Sequence, residues 1–78
     1  MAMILYSTDH CSLCEEALDL LLSMPELQGL ALSVIDVAGS DRLTATYGER
    51  LPVLRAGLRE LDWPFKSAEV AELIRASG

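Results

Sequence analysis

The spacing of apolar residues changes several times along this chain, and each change marks an element. Ile4-Leu5-Tyr6-Ser7 is a short apolar run with a β-branched and an aromatic residue, and it predicts a first strand over Met3–Ser7. Thr8-Asp9-His10 then forms a polar loop. Ala17, Leu18 and Leu21 recur at helical spacing, which predicts a helix from Ser12 to Met24 with Cys14 on its apolar stripe. Glu15, Glu16 and Asp19 fall on the opposite face, and the two glutamates also suit the positive end of the helix dipole. Pro25 stops this helix, because the residue before a proline is pushed out of the α region.

Beyond Gly29 the run Leu30–Val37 reads as a second strand. Strand, helix and strand in so short a span form a βαβ unit with parallel strands and a right-handed crossover. Ser40 or Asp41 caps a short second helix carrying Leu43, Ala45 and Tyr47, and Gly48 ends it. Leu51–Arg55 and Leu58–Leu61 flank Ala56-Gly57 and read as a β-hairpin, with Pro52 early in its strand where an N–H can be spared. After Asp62-Trp63-Pro64-Phe65, Ser67 caps a closing helix whose face is Val70, Ala71, Leu73 and Ile74. The order β-α-β-α-β-β-α predicts an α/β fold, a four-stranded mixed sheet with helices on both faces.

Length and charge narrow what such a fold can do. The 78 residues are expected to form a single domain, 1–78, and 51% of them are apolar, too many for a disordered chain. No apolar run reaches the length of a membrane span, and the start Met1-Ala2-Met3-Ile4 lacks the basic and apolar regions of a signal peptide. The expectation is a cytoplasmic protein, a monomer with neither membrane nor nucleic acid as partner. A net charge of −6 argues in the same direction, since phosphate backbones demand basic patches.

The chemistry sits at the first strand–helix junction. Cys11 and Cys14 are the only cysteines, at a CxxC spacing. Residues three apart are neighbours on a helix, and a disulfide needs Cα atoms roughly 5–6 Å apart. Cys11 at the helix start faces unpaired N–H groups, which favour a thiolate. This is the chemistry of a dithiol redox site. A structural disulfide across so short a loop would constrain little of the unfolded chain. A structural zinc needs about four ligands, and the candidates stop at Cys11, Cys14 and His10. Two copies sharing a metal or an iron–sulfur cluster between their cysteine pairs is a further reading.

The CxxC after the first strand, Pro52 before the third and the order of elements resemble the thioredoxin superfamily in its smallest, glutaredoxin-like form. More narrowly, Tyr6 to Cys14, Pro52-Val53-Leu54 and Leu61 to Phe65 are similar to a group of short bacterial glutaredoxin-like proteins with a CxxC motif. The resemblance implies that Cys11 is the exposed nucleophile and Cys14 the resolving cysteine. It implies a cis Pro52 beside the disulfide, and a Leu51 backbone that pairs with an extended substrate by strand addition.

The chain departs from the family at several points. Thr8, Asp9 and His10 occupy the loop where glutaredoxins usually carry a lysine. Leu61–Phe65 replaces the Gly-Gly-x-Asp-like turn whose amides bind glutathione, and Pro64 has no N–H to offer. Ser12-Leu13 matches the inter-cysteine pair of neither glutaredoxins nor thioredoxins. His10, when protonated, would favour a Cys11 thiolate, whereas Asp9, Glu15 and Glu16 oppose it. Arg50 is a candidate cation near Pro52 for a substrate carboxylate. Trp63 and Phe65 read as packing for the last helix, and Tyr6 and Tyr47 carry no functional signal.

These features predict a thiol–disulfide oxidoreductase that reduces protein disulfides and serves cell redox homeostasis. Its redox group would be the Cys11–Cys14 disulfide, with no bound cofactor and no metal. Its partners would be a disulfide-containing protein and a reductant, either another protein or glutathione. The alternatives are a dimeric iron–sulfur module and a redox-inactive interaction domain.

Overall fold

The computed structural model of the chain describes residues 2–77. Strand β1 (Ala2–Ser7), helix α1 (Ser12–Leu22), strand β2 (Ala31–Asp36), helix α2 (Asp41–Tyr47), strands β3 (Val53–Ala56) and β4 (Arg59–Asp62), and helix α3 (Ser67–Ser77) follow in the predicted order. The strands form one sheet in the order β2-β1-β3-β4. Strand β2 runs parallel to β1, with Ala2 opposite Ala31 and Ser7 opposite Asp36. Strand β3 runs antiparallel to β1, from Met3 opposite Ala56 to Tyr6 opposite Val53, and β4 pairs antiparallel with β3.

Because side chains alternate across a strand, this register sorts the apolar residues onto two faces. Met3 and Leu5 share one face with Leu54 and Ala56, and there they pack with Ala17 and Leu21 of α1, Val70 and Leu73 of α3, and Phe65. Tyr6 and Val53 share the other face, where they pack with Val37 and with Tyr47 and Leu43 of α2. Helices therefore cover both faces of a four-stranded mixed sheet, as the element order predicts.

Element ends differ from the sequence expectation by one or two residues. Helix α1 stops at Leu22 instead of Met24. The Ser23 hydroxyl donates to the Leu20 carbonyl at 2.7 Å, and Met24 is already extended ahead of a 3-10 turn over Pro25–Leu27. Strand β2 gives up Leu30 and Val37, the latter to a second 3-10 turn over Val37–Gly39. Ser67 starts α3 rather than capping it, because the Glu69 carboxylate accepts the Lys66 N–H at 3.0 Å and closes the helix one residue earlier. Ser40 does cap α2, accepting the Leu43 N–H at 3.2 Å.

Two glycines are fixed by geometry. Gly57, at φ +63° in the loop between the paired Ala56 and Arg59, supplies the positive φ that a tight hairpin needs at its first loop residue. Gly48 ends α2 without turning left-handed. A Cβ there would meet the Thr44 carbonyl oxygen at 2.5 Å, so absence of a side chain is what this position requires.

Candidate redox site

The parallel β1–α1–β2 unit brings both sulfurs to the end of the sheet where β1 finishes. Cys11 is the N-cap of α1, with extended backbone angles of φ −112° and ψ 101°. Its Sγ accepts the Cys14 backbone N–H at 3.1 Å, and its carbonyl accepts the Glu15 N–H at 3.2 Å. A sulfur thus takes the place that a serine or aspartate oxygen usually holds at a helix start. The two cysteines are joined in a disulfide, their Cα atoms 5.2 Å apart. Cys14 is 4% exposed and faces the core, whereas Cys11 is half-buried. Of the two, Cys11 is the sulfur an incoming group can reach.

The loop ahead of Cys11 makes a sharp turn at His10, which is exposed and sits at φ 56°, a left-handed conformation uncommon outside glycine. Beside the disulfide lies a groove of about 160 Å³. Its rim is Ser7, Thr8, Asp9, His10 and Glu15, and its floor is Leu5, Leu18 and Val34. The floor follows from the sheet register, since Leu5 and Val34 are direct neighbours on β1 and β2. Sequence spacing alone does not pair them.

Pro52 is buried and leads into β3 at the end of the sheet where Ser7 leads into the cysteine loop. The Leu51–Pro52 peptide is cis, and so is Trp63–Pro64, which the sequence did not point to. The Pro52 carbonyl accepts the Trp63 N–H at 3.2 Å, tying the two proline segments together. Leu51 is half-buried and takes no part in the strand ladder, whose pairs begin at Val53. Trp63 and Phe65 meet edge to face at 5.0 Å against the core under α3.

Arg50 is occupied elsewhere. Its guanidinium pairs with Asp62 at 2.7 Å and Glu60 at 3.1 Å and lies 5.4 Å from the Tyr47 ring, and it does not line the groove. Both carboxylates hold its pKa above the ordinary arginine value, Asp62 more strongly. Around it the structure assembles a cluster that sequence reasoning missed. Tyr6 stacks on Tyr47 with ring centroids 4.0 Å apart, and the Tyr47 hydroxyl donates to Glu60 at 2.5 Å. That bond, together with burial, pushes the Tyr47 phenol up to about 12. The same hydroxyl is the main reason Glu60 sits below the usual glutamate range, with burial opposing and Arg50 assisting. Alternation along β4 puts Glu60 and Asp62 on one face, but no spacing along the chain adds Tyr47 or Arg50 to them.

Residues 2–75 match the glutaredoxin-like domain (DUF836). The chain belongs to the glutaredoxin-like family. Two solved structures of one X. campestris protein, the structural genomics target XcR50, are similar to it. The X-ray structure has 32% identity and a TM-score of 0.81, covering 97% of this chain and 99% of that one. The solution structure has 34% identity and a TM-score of 0.81, covering 100% of this chain and 97% of that one. No curated protein matches. This glutaredoxin-like chain therefore combines the family's fold with a CxxC at the start of α1, which supports a thioredoxin-like redox role. Among the described residues no group of three His, Cys, Asp or Glu side chains is placed to hold a metal ion, and no helix is long and apolar enough to cross a membrane.

Proposed function

We propose that this glutaredoxin-like protein is a thiol–disulfide oxidoreductase that reduces disulfides in other proteins. The observation that carries the reading is the asymmetric pair at the head of α1. Cys11 is accessible and accepts a backbone N–H, and Cys14 is buried one helical turn away, already within disulfide distance.

The cycle begins with the dithiol form. The Cys11 thiolate, favoured by the N–H donors and dipole at the helix start, attacks one sulfur of the substrate disulfide. A Cys11–substrate bond forms, the substrate S–S bond breaks, and the other substrate sulfur leaves as a thiolate that takes up a proton. Cys14 then loses its proton and attacks the Cys11 sulfur. The mixed disulfide breaks, the second substrate thiolate is released and protonated, and the Cys11–Cys14 bond remains. Two electrons have passed to the substrate, and a dithiol protein or glutathione returns them. Leu51, outside the ladder and next to the buried Pro52, offers backbone for pairing with an extended substrate. The cytoplasm, where thiols are kept reduced, is the compartment that suits this direction of flow.

Reduction of insulin by a dithiol donor, followed as precipitation of the freed chain, tests the proposal. Wild-type protein is expected to accelerate it and Cys11→Ser to leave it at the background rate. Equal rates for the two proteins would overturn the assignment.

A further inference from the structure

Charge is divided unevenly along this chain and across its surface. Every lysine and arginine lies at or beyond Arg42, so the β1–α1–β2 unit that builds the disulfide site contains none. Asp9 and Glu15, both exposed, stand on the rim of the groove beside Cys11. Asp36, paired with Ser7 across the sheet, ends β2 at the same edge. None of these three carboxylates forms an ion pair among the described residues. No arginine or lysine lines the groove. Arg50 is neutralised by Glu60 and Asp62, and Arg55 binds the Gly57 carbonyl in the hairpin turn, at the opposite end of β1.

Taking the oxidoreductase reading as its basis, we propose that this acidic rim selects the substrate: disulfides carried on basic, extended protein segments react preferentially, and acidic disulfides are disfavoured. The floor of Leu5, Leu18 and Val34 accepts an apolar side chain, while Asp9, Glu15 and Asp36 meet lysines or arginines flanking the substrate cysteine. Glutathione disulfide belongs to the disfavoured class, because its carboxylates find no lysine or arginine on the rim. The exchange itself is unchanged: the substrate S–S bond breaks, two electrons leave the Cys11–Cys14 dithiol, and the rim acts on encounter and on the lifetime of the bound segment. Steering of this kind alters association rates by about 10- to 1,000-fold and weakens as salt rises.

The test uses the full chain, reduced and freed of reductant, with two peptides that differ only in whether lysines or glutamates flank an internal disulfide. Single-turnover rates are measured at low salt, where the Debye length is about 30 Å at 0.01 M, and at high salt, where it is about 3 Å at 1 M. Each rate is divided by that of a small neutral dithiol with the same peptide, which removes differences in intrinsic reactivity. A lysine-to-glutamate rate ratio of about tenfold or more is expected at low salt, falling towards one at high salt. The ratio should also shrink in an Asp9→Asn/Glu15→Gln variant. A ratio near one at low salt, with both peptides reduced, overturns the selectivity and leaves the oxidoreductase reading standing. Failure to reduce either peptide overturns both.

Discussion

The Sγ of Cys11 accepts the backbone N–H of Cys14 at 3.1 Å, so the two cysteines are linked by a cap hydrogen bond as well as by their disulfide. When the disulfide is reduced, that N–H and the helix dipole favour the Cys11 thiolate, while Cys14 lies in the core. Cys11 is therefore expected to alkylate faster than Cys14 in the reduced protein. Peptide mapping after a short pulse of iodoacetamide checks this, and earlier labelling of Cys14 would reverse the roles.

The Tyr47–Glu60 bond makes stability depend on pH at both extremes. Glu60 is depressed below its ordinary 4.5, so its contribution is present above that value and is lost as pH falls through the lower folded value. Tyr47 is raised from 10.0 to about 12, so its contribution is full below 10.0 and is lost as pH climbs to about 12. Tyr47→Phe should lower stability near neutrality by roughly 1.5–3 kcal/mol, the scale of a hydrogen bond to a charged group. In urea titrations across pH, the gap between wild type and variant should narrow at both ends. A gap that stays constant from 10.0 to 12 would contradict the account.

Two glycine substitutions should separate cleanly. Gly48→Ala drives a Cβ against the Thr44 carbonyl oxygen and should cost about 1–3 kcal/mol, whereas Gly39 has open space around the same atom and Gly39→Ala should be close to neutral. Thermal unfolding of the two variants gives the comparison, and equal melting temperatures would show that α2 can shift to relieve the contact.

Leu54 tests the packing of the sheet against α1 and α3. It is fully buried opposite Leu5, and Leu54→Ala should destabilise by about 2–5 kcal/mol. A loss well below that range on denaturant unfolding would mean that the core collapses around the vacancy.

The element order, a cap at Ser40 or Asp41 and the apolar faces of α1 and α3 were legible in the sequence because each rests on local patterning: the 3.6-residue stripe of Ala17 and Leu21, the helical spacing of Val70 and Leu73, and the serine and aspartate that follow Gly39. Helix α1 was drawn too long because the serine at position 23 competes for a helix carbonyl, which an apolar-periodicity argument overlooks. The partners of Arg50 and the stacking of Tyr6 on Tyr47 were not legible. They depend on how β4 and α2 are placed over the same face, and no spacing along the chain encodes that. The groove floor escaped for the same reason, since Val34 reaches it only through the β1–β2 register.

The central claim is that Cys11 and Cys14 act together to pass two electrons to a substrate disulfide, and single-turnover mass spectrometry tests it most directly. Reduced protein is mixed with one equivalent of a disulfide-bonded peptide, quenched with acid and weighed. Wild-type protein should end two hydrogens lighter, with the peptide two hydrogens heavier. Cys14→Ser should stop as a covalent adduct joined through Cys11, and Cys11→Ser should form none. A wild-type chain that keeps its full mass beside an unchanged peptide disulfide would contradict the account.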